Sequence, residues 1–110
     1  MDGYVAPNTT PVIGLATDYT DESLTDFMKK IIEAYSKIEW KETKCGYACS
    51  DHASWTRAGI PSAFTMEGEF KDSNPYIHSD RDLMELLDFK HMKEYVKIAL
   101  AYCYNLTQPK

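Results

Sequence analysis

An amphipathic helix and a preceding apolar run dominate the first third of the chain. Residues 11 to 17 form a short apolar stretch, which predicts a buried strand. Between residues 21 and 37 the apolar side chains recur at helical spacing, and Thr20 is a candidate N-cap. The members of this stripe are Leu24, Phe27, Met28, Ile31, Ile32 and Tyr35. We expect this helix to pack its apolar stripe against a core.

The rest of the chain alternates short strands with helices. Residues 38–43 and 62–67 favour strands, and residues 50–59 favour a short helix that begins at Ser50 and ends near Gly59. A polar loop spans residues 68–82, and Asp88 can cap a last helix that runs to about residue 104. We expect that helix to bury its most apolar face: Phe89, Met92, Val96, Ala99, Leu100 and Cys103. The alternation predicts an α/β layered sheet, and its two or three strands suggest a piece of a larger sheet.

Charge and composition narrow the range of partners. The 110 residues include 12 basic and 17 acidic side chains, so the formal net charge is −5. An acidic chain argues against general nucleic-acid binding and against a polybasic membrane patch. No apolar run approaches the roughly 20 residues that span a bilayer. The first residues lack the features of a signal peptide. We therefore expect a globular domain with no nucleic-acid partner and no membrane partner.

The cysteines leave several interpretations open. Cys45 and Cys49 are four residues apart and could be a disulfide, two reduced thiols or half of a zinc site. Cys103 falls on the apolar face of the last predicted helix and is expected to be a buried, inert thiol. Asn8 and Asn105 each begin an N-glycosylation sequon. The sequons and a local disulfide together favour an oxidising, secretory compartment.

The three histidines are the other candidates for chemistry. His91 lies among charged residues on the last predicted helix and is expected to be a solvated surface residue. His52, at the start of the short helix, could be a ligand, a base or a local hydrogen-bonding group. His78 lies in the polar loop near carboxylates, which favours metal ligation or proton transfer. A nucleophilic pair of Cys49 with His52 or His78 is a further alternative that needs a free thiol.

Two motifs resemble one enzyme family. Residues 45–55, CGYACSDHASW, are similar to a signature of the secreted leucyl aminopeptidases of vibrios and fungi, which carry a co-catalytic zinc pair. Residues 58–63 and the stretch NPYIHSDRD at 74–82 resemble two further segments of that family. The resemblance extends over nearly the whole chain.

The resemblance implies a fold and an activity. The family fold is a three-layer α/β/α sandwich around a mostly parallel mixed sheet, so this chain would be an α/β unit and the C-terminal portion of that sandwich. The implied activity is release of apolar, leucine-like N-terminal residues from peptide substrates by two zinc ions. The two cations would activate water and polarise the scissile carbonyl. The implied complete enzyme is secreted and monomeric.

The resemblance also implies residue roles. His78 falls on the family's last zinc ligand, and Tyr47 falls on a tyrosine that donates a hydrogen bond to the developing oxyanion. Cys45 and Cys49 match the family's disulfide. The apolar wall that receives the substrate side chain would be formed by Phe64, Met66, Phe70 and Ile77. Core packing is the competing interpretation for all four residues, and for Phe64 above all. Ser50 and Asp51 are candidates to support the site.

The chain departs from the family at its first residues. Met1-Asp2-Gly3-Tyr4 resembles the segment that directly follows a zinc-binding aspartate. The general-base glutamate and the other ligands lie further upstream in the family, and a shift of Asp2 into the ligand position would not replace them. We therefore expect residues 1–110 to be the C-terminal part of an aminopeptidase domain, inactive in isolation. The alternative is a non-catalytic module that binds peptides or a partner through the same fold.

Overall fold

Residues 3–109 are described by the computed structural model. Within this range the chain forms three strands and three α-helices. The strands are β1 (Ile13–Ala16), β2 (Trp40–Thr43) and β3 (Thr65–Met66), and the helices are α1 (Glu22–Tyr35), α2 (Asp51–Arg57) and α3 (Phe89–Thr107). Single 3₁₀ turns occur at Phe70–Asp72 and Met84–Leu86. The predicted α/β class and the predicted order of elements are confirmed.

A small mixed sheet forms the centre of the fold. Its strand order is β2-β1-β3, with β1 parallel to β2 and antiparallel to β3. In this register Gly14 lies opposite Lys41 on one side and opposite Met66 on the other. All four residues of β1 are buried. The two neighbouring strands cover the edges of β1, and helix residues pack against Ile13 and Leu15, which explains its uninterrupted apolar sequence.

Helices α1 and α3 pack on β1 to make the core. The buried cluster consists of Ile13, Leu15, Met28, Ile31, Ile32, Ile98 and Ala101. Helix α1 is capped by Asp21, whose carboxylate accepts a hydrogen bond from the Leu24 amide at 2.8 Å. The predicted cap, Thr20, is wrong because its hydroxyl instead donates to the Ala16 carbonyl at the end of β1.

Helix α3 buries a different face from the predicted one. Its buried residues are His91, Ile98 and Ala101, whereas the predicted stripe faces solvent except at the half-buried Met92. Phe89 and Leu100 are 63% and 66% exposed. Helix α3 is apolar on two sides, and its contact with α1 selects the side that carries Ile98. The exposed stripe is an apolar surface about 20 Å long at 1.5 Å per residue.

Two single-residue predictions on α3 are also wrong. Cys103 is an exposed free thiol, because it lies on the outward stripe. His91 is 2% exposed, and its Nε2 lies 2.7 Å from the Glu67 carbonyl oxygen. Since a carbonyl can only accept, Nε2 carries the proton of this hydrogen bond. His91 therefore fastens α3 to the residue that follows β3.

Two further predicted helix ends are confirmed, the start of α3 at Asp88 and the end of α2 at Gly59. Asp88 accepts hydrogen bonds from the amides of Lys90 and His91, so it begins α3 as expected. Gly59 follows α2 with φ +80°, a left-handed conformation that glycine adopts without strain. Ser50 occupies the N-cap position of α2, but its side chain makes no capping hydrogen bond.

No helix within residues 3–109 combines the length and the hydropathy needed to cross a membrane.

Candidate active site

The Tyr47 loop, Cys45–Cys49, is closed by a disulfide. Its backbone is hydrogen-bonded to Asp18, which lies just after β1. Cys45 and Cys49 are bonded to each other, as the family resemblance implies. The Asp18 carboxylate accepts hydrogen bonds from the amides of Cys45 at 3.2 Å and Gly46 at 2.8 Å. Gly46 has φ +82°, which places the turn in a conformation suited to glycine. The loop therefore has a fixed backbone beneath Tyr47.

The Tyr47 side chain points outward next to one residue of the predicted apolar wall. Tyr47 is 57% exposed, and its ring and the Phe70 ring meet edge to face with their centroids 6.2 Å apart. Phe70 is fixed in turn, because its amide donates to the Thr43 hydroxyl oxygen at 2.8 Å. The phenol is thus available to a ligand while its ring is restrained by packing. Such a restrained donor could stabilise negative charge that develops on a nearby oxygen.

His52 is buried in the structure and stacks on Phe64. It is 5% exposed, and its ring lies 4.4 Å from the Phe64 ring with nearly parallel planes. Neither ring nitrogen is within hydrogen-bond geometry of a partner among residues 3–109. Burial lowers the pKa of His52, and the nearby Asp18 and Asp51 oppose this effect. His52 is therefore a buried packing residue, which agrees with the packing interpretation of Phe64.

His78 lies in an exposed loop and lines a cavity of about 400 Å³. Its backbone has φ +63°, a left-handed conformation that costs energy for a residue other than glycine. Ile77, also in the predicted apolar wall, lines the same cavity and is 56% exposed. The remaining lining residues are Glu67, Asn74, Asp82, Leu83, Met84 and Leu87. The cavity thus combines an imidazole, two carboxylates and an apolar side.

The residues of this cavity do not form a complete metal centre. Across residues 3–109, no three His, Cys, Asp or Glu side chains are arranged to hold one metal ion. Stable zinc sites normally use three or four protein ligands. His78 could therefore supply one ligand of a site completed by residues from elsewhere. Asp2, the other ligand candidate, lies outside the described residues.

The predicted site residues fall into separate local groups. Tyr47 contacts Phe70, Ile77 shares a cavity with His78, and Phe64 stacks on His52. Met66 is the β3 residue opposite Gly14. Ser50 and Asp51 are exposed at the start of α2, and both sequon asparagines, Asn8 and Asn105, are exposed as well. The roles that the resemblance implies for these residues stay predictions.

Three polar residues hold these loops in a way that the sequence does not predict. They are Asp18, Glu67 and Asn74, each of which bonds to backbone amides of a distant or adjacent loop. Asn74 precedes Pro75, and an Asn–Pro pair signals a turn. Nothing in the local sequence distinguishes Glu67 from an ordinary surface glutamate.

Comparison with known proteins places the chain in one family. The model of peptidase family M28 matches residues 1–103. A probable aminopeptidase of Saccharomyces cerevisiae is 48% identical over 106 residues, which cover 96% of this chain and 28% of the yeast protein. Leucine aminopeptidase 1 of Trichoderma harzianum is 51% identical over 94 residues, covering 86% of this chain and 24% of that protein.

Solved structures support the same placement. The LapA aminopeptidase of Legionella pneumophila superposes with a TM-score of 0.93 at 41% identity, over all of this chain and 30% of that one. LapB of the same organism gives a TM-score of 0.91 at 36% identity, over 98% of this chain and 30% of its own. The chain therefore spans less than a third of the relatives it matches. These matches show that the chain belongs to peptidase family M28.

Proposed function

We propose that this chain supplies part of the active site of a zinc aminopeptidase that releases apolar, leucine-like residues from the N-termini of peptides. The observation that carries the proposal is the M28 match over residues 1–103, which includes both the Tyr47 loop and the His78 loop. The names of the relatives, leucine aminopeptidase and aminopeptidase, support this class of reaction. When bound, zinc would activate water and polarise the scissile carbonyl.

Each loop has a distinct part in this proposal. His78 is exposed at the cavity and would offer one imidazole nitrogen to a zinc ion. Tyr47 would donate its phenolic proton in a hydrogen bond to the oxyanion that develops on the carbonyl. The disulfide and Asp18 hold the backbone beneath that phenol. A donor held in place in advance needs little reorganisation during the reaction.

Apolar residues near these loops would select the substrate. Phe70 lies against Tyr47, and Ile77 lines the His78 cavity. Burial of a leucine-like side chain against such surfaces contributes about 1.5–3 kcal/mol. Met66 and Phe64 belong to the proposed wall by resemblance, and Phe64 also packs on His52. The substrates would be peptides with an apolar first residue.

The isolated chain is expected to be inactive in this proposal. His78 is the one zinc ligand that the family resemblance assigns to it, and its described residues form no set of three ligands. The other ligands and the general base would come from residues outside these 110. The disulfide and the two exposed sequons support secretion as the setting, and a monomer is proposed for the complete enzyme.

A second candidate function is a non-catalytic module that binds peptides or a partner chain. The apolar stripe on α3, with Leu100 66% exposed, favours it because such a surface suits a protein partner. This candidate requires that the chain fold cooperatively by itself. A broad thermal melt with strong binding of a hydrophobic dye would argue against it.

The proposal can be tested in two steps. First, the purified chain with added zinc is expected to leave leucyl amide substrates intact. Second, the chain should replace the matching 106 residues of the Saccharomyces cerevisiae relative in a chimera, where we expect zinc-dependent hydrolysis that favours leucyl over lysyl or glutamyl substrates. A chimera that folds, binds zinc and hydrolyses none of them would contradict the proposal.

A further inference from the structure

One carboxylate joins the beginning of the described chain to the loop that carries His78. Oε2 of Glu67 accepts a hydrogen bond from the Tyr4 amide at 2.9 Å, and Oε1 accepts one from the Asn74 amide at 3.2 Å. The two amides are 70 positions apart in the sequence. Each carboxylate oxygen therefore binds a different segment of the chain, and the Glu67 side chain fixes the distance between the Tyr4 and Asn74 amides.

Glu67 is itself held at its backbone. It directly follows β3, and its carbonyl accepts the hydrogen bond from the buried ring of His91 on α3. A second contact fixes the first segment independently, since the Asp88 amide donates to the Gly3 carbonyl at 2.7 Å. The Glu67 carboxylate thus extends from a backbone that is anchored to both the sheet and α3.

Asn74 transmits this anchor to the His78 turn. Asn74 is 5% exposed, its Nδ2 donates to the Asp82 carboxylate at 2.9 Å, and its Oδ1 accepts from the Tyr76 amide at 2.9 Å. These two bonds close the turn on both sides of His78. The left-handed backbone of His78 is costly and persists only where its surroundings determine it.

We infer that Glu67 is a positioning residue that sets the His78 loop relative to the segment at Gly3–Tyr4. This inference rests on the proposed function, in which His78 is a zinc ligand. In the family that the sequence resembles, the segment matching residues 1–4 directly follows a second zinc ligand, an aspartate. A carboxylate is required because both amides donate. The amide side chain of glutamine has one acceptor oxygen, and its NH₂ group would face a second donor.

The test uses the 110-residue chain labelled with ¹⁵N, with Glu67→Gln as the variant and Glu69→Gln as the matched control. Glu69 lies two residues further on, and its carboxylate is paired with the exposed lysines Lys41 and Lys71 at 3.4 and 3.8 Å. In Glu67→Gln we expect hydrogen-exchange protection of the Tyr4 or Asn74 amide to fall about tenfold or more, since a charge-assisted hydrogen bond is lost. Protection of the core amide of Ile13 should stay unchanged.

The His78 ring gives a readout that a purely structural role would not move. Its imidazole signals should shift in Glu67→Gln and stay in place in Glu69→Gln. Unchanged His78 signals, or equal losses of protection at Tyr4, Asn74 and Ile13, would overturn the inference. If Glu67→Gln fails to fold, the unaltered chain decides, because Tyr4 and Asn74 must then exchange much more slowly than the exposed Thr10 amide.

These spectra separate the inference from the proposed function. They report hydrogen bonds and ring environment in the chain without metal or substrate. Failure of the proposed function would appear in the hydrolysis assay of the chimera. Failure of the positioning role would appear here, whatever that assay shows.

Discussion

The contact between Gly14 and Gly68 gives the sharpest test of how the fold places the site. Gly14 lies in the centre of β1, where a Cβ would fall 2.0 Å from the Gly68 carbonyl oxygen and 2.8 Å from its carbonyl carbon. Ordinary contacts begin at 3.4 Å, so one backbone segment would have to move by more than 1 Å. Gly68 belongs to the segment that leads from Glu67 to Phe70. The substitution Gly14→Ala would therefore strain the core strand and the site segment together.

The expected cost follows from overpacking and from chain entropy. Overpacking of a rigid core costs about 1–3 kcal/mol, and the upper end applies because both partners are backbone. Alanine recovers about 0.4–1 kcal/mol by restricting the unfolded chain. The net loss in the free energy of unfolding is about 2 kcal/mol. For a chain of this size that loss lowers the Tm by roughly 8–16 °C.

The reciprocal substitution is the control. A Cβ at Gly68 would meet no atom within 4 Å, so Gly68→Ala should leave the Tm within a few degrees of the unaltered chain. Calorimetry or circular dichroism on both variants provides the measurement. A Gly14→Ala variant as stable as the unaltered chain, or a Gly68→Ala variant equally destabilised, would refute the reasoning.

Three further predictions follow from burial and exposure. Ile98→Ala should lower the free energy of unfolding by about 2–5 kcal/mol in chemical denaturation, whereas Leu100→Ala on the outward face of the same helix should change it by less than about 0.5 kcal/mol. Burial lowers the pKa of His52, so the unfolded chain binds more protons and stability should fall as the pH drops below about 6.5. Thermal melts of His52→Phe between pH 8 and 5 should lose that part of the pH dependence, and an unaltered slope would argue against the assignment. In the chimera, Tyr47→Phe should keep the contact with Phe70 but lower kcat by about 10²–10³ in steady-state assays, while equal kcat values would remove Tyr47 from the proposed role.

The sequence predicts local features of the fold well. The apolar run before residue 17 becomes the buried β1, Asp88 caps α3, and Gly59 ends α2 in the left-handed region. Each of these outcomes depends on a few neighbouring residues. The α/β class follows from the order of such segments and is confirmed by the mixed sheet.

The buried face of α3 is the main feature that the sequence predicts wrongly, because tertiary contacts determine it. Helix α3 has two apolar sides, and hydrophobic periodicity favours the one with Phe89 and Leu100. The structure buries the other side, where Ile98 packs in the core with α1 and His91 bonds to the Glu67 carbonyl 24 positions away. A bond between residues so far apart has no local signature. Cys103 lies on the opposite side of α3 and is therefore exposed.

In the candidate site, too, the sequence predicts the local motifs but not the distant contacts that hold them. Motif resemblance identifies the Tyr47 and His78 loops, and the disulfide that it implies is present. The residues that hold those loops, Asp18 and Glu67, act through backbone amides and were not predictable from their neighbours. The left-handed backbone of His78 is likewise a product of its surroundings.

The central claim is that His78 supplies a zinc ligand to an aminopeptidase site, and the chimera with the yeast relative tests it most directly. His78→Ala should fold with an unchanged Tm, bind one zinc equivalent more weakly and lose hydrolysis of leucyl substrates by more than about a hundredfold, since even indirect supports of metal ligands cost 10–100-fold. Lys30→Ala, on the exposed face of α1, is the control and should match the unaltered chimera. A folded His78→Ala chimera with full zinc content and full leucyl hydrolysis would contradict the account.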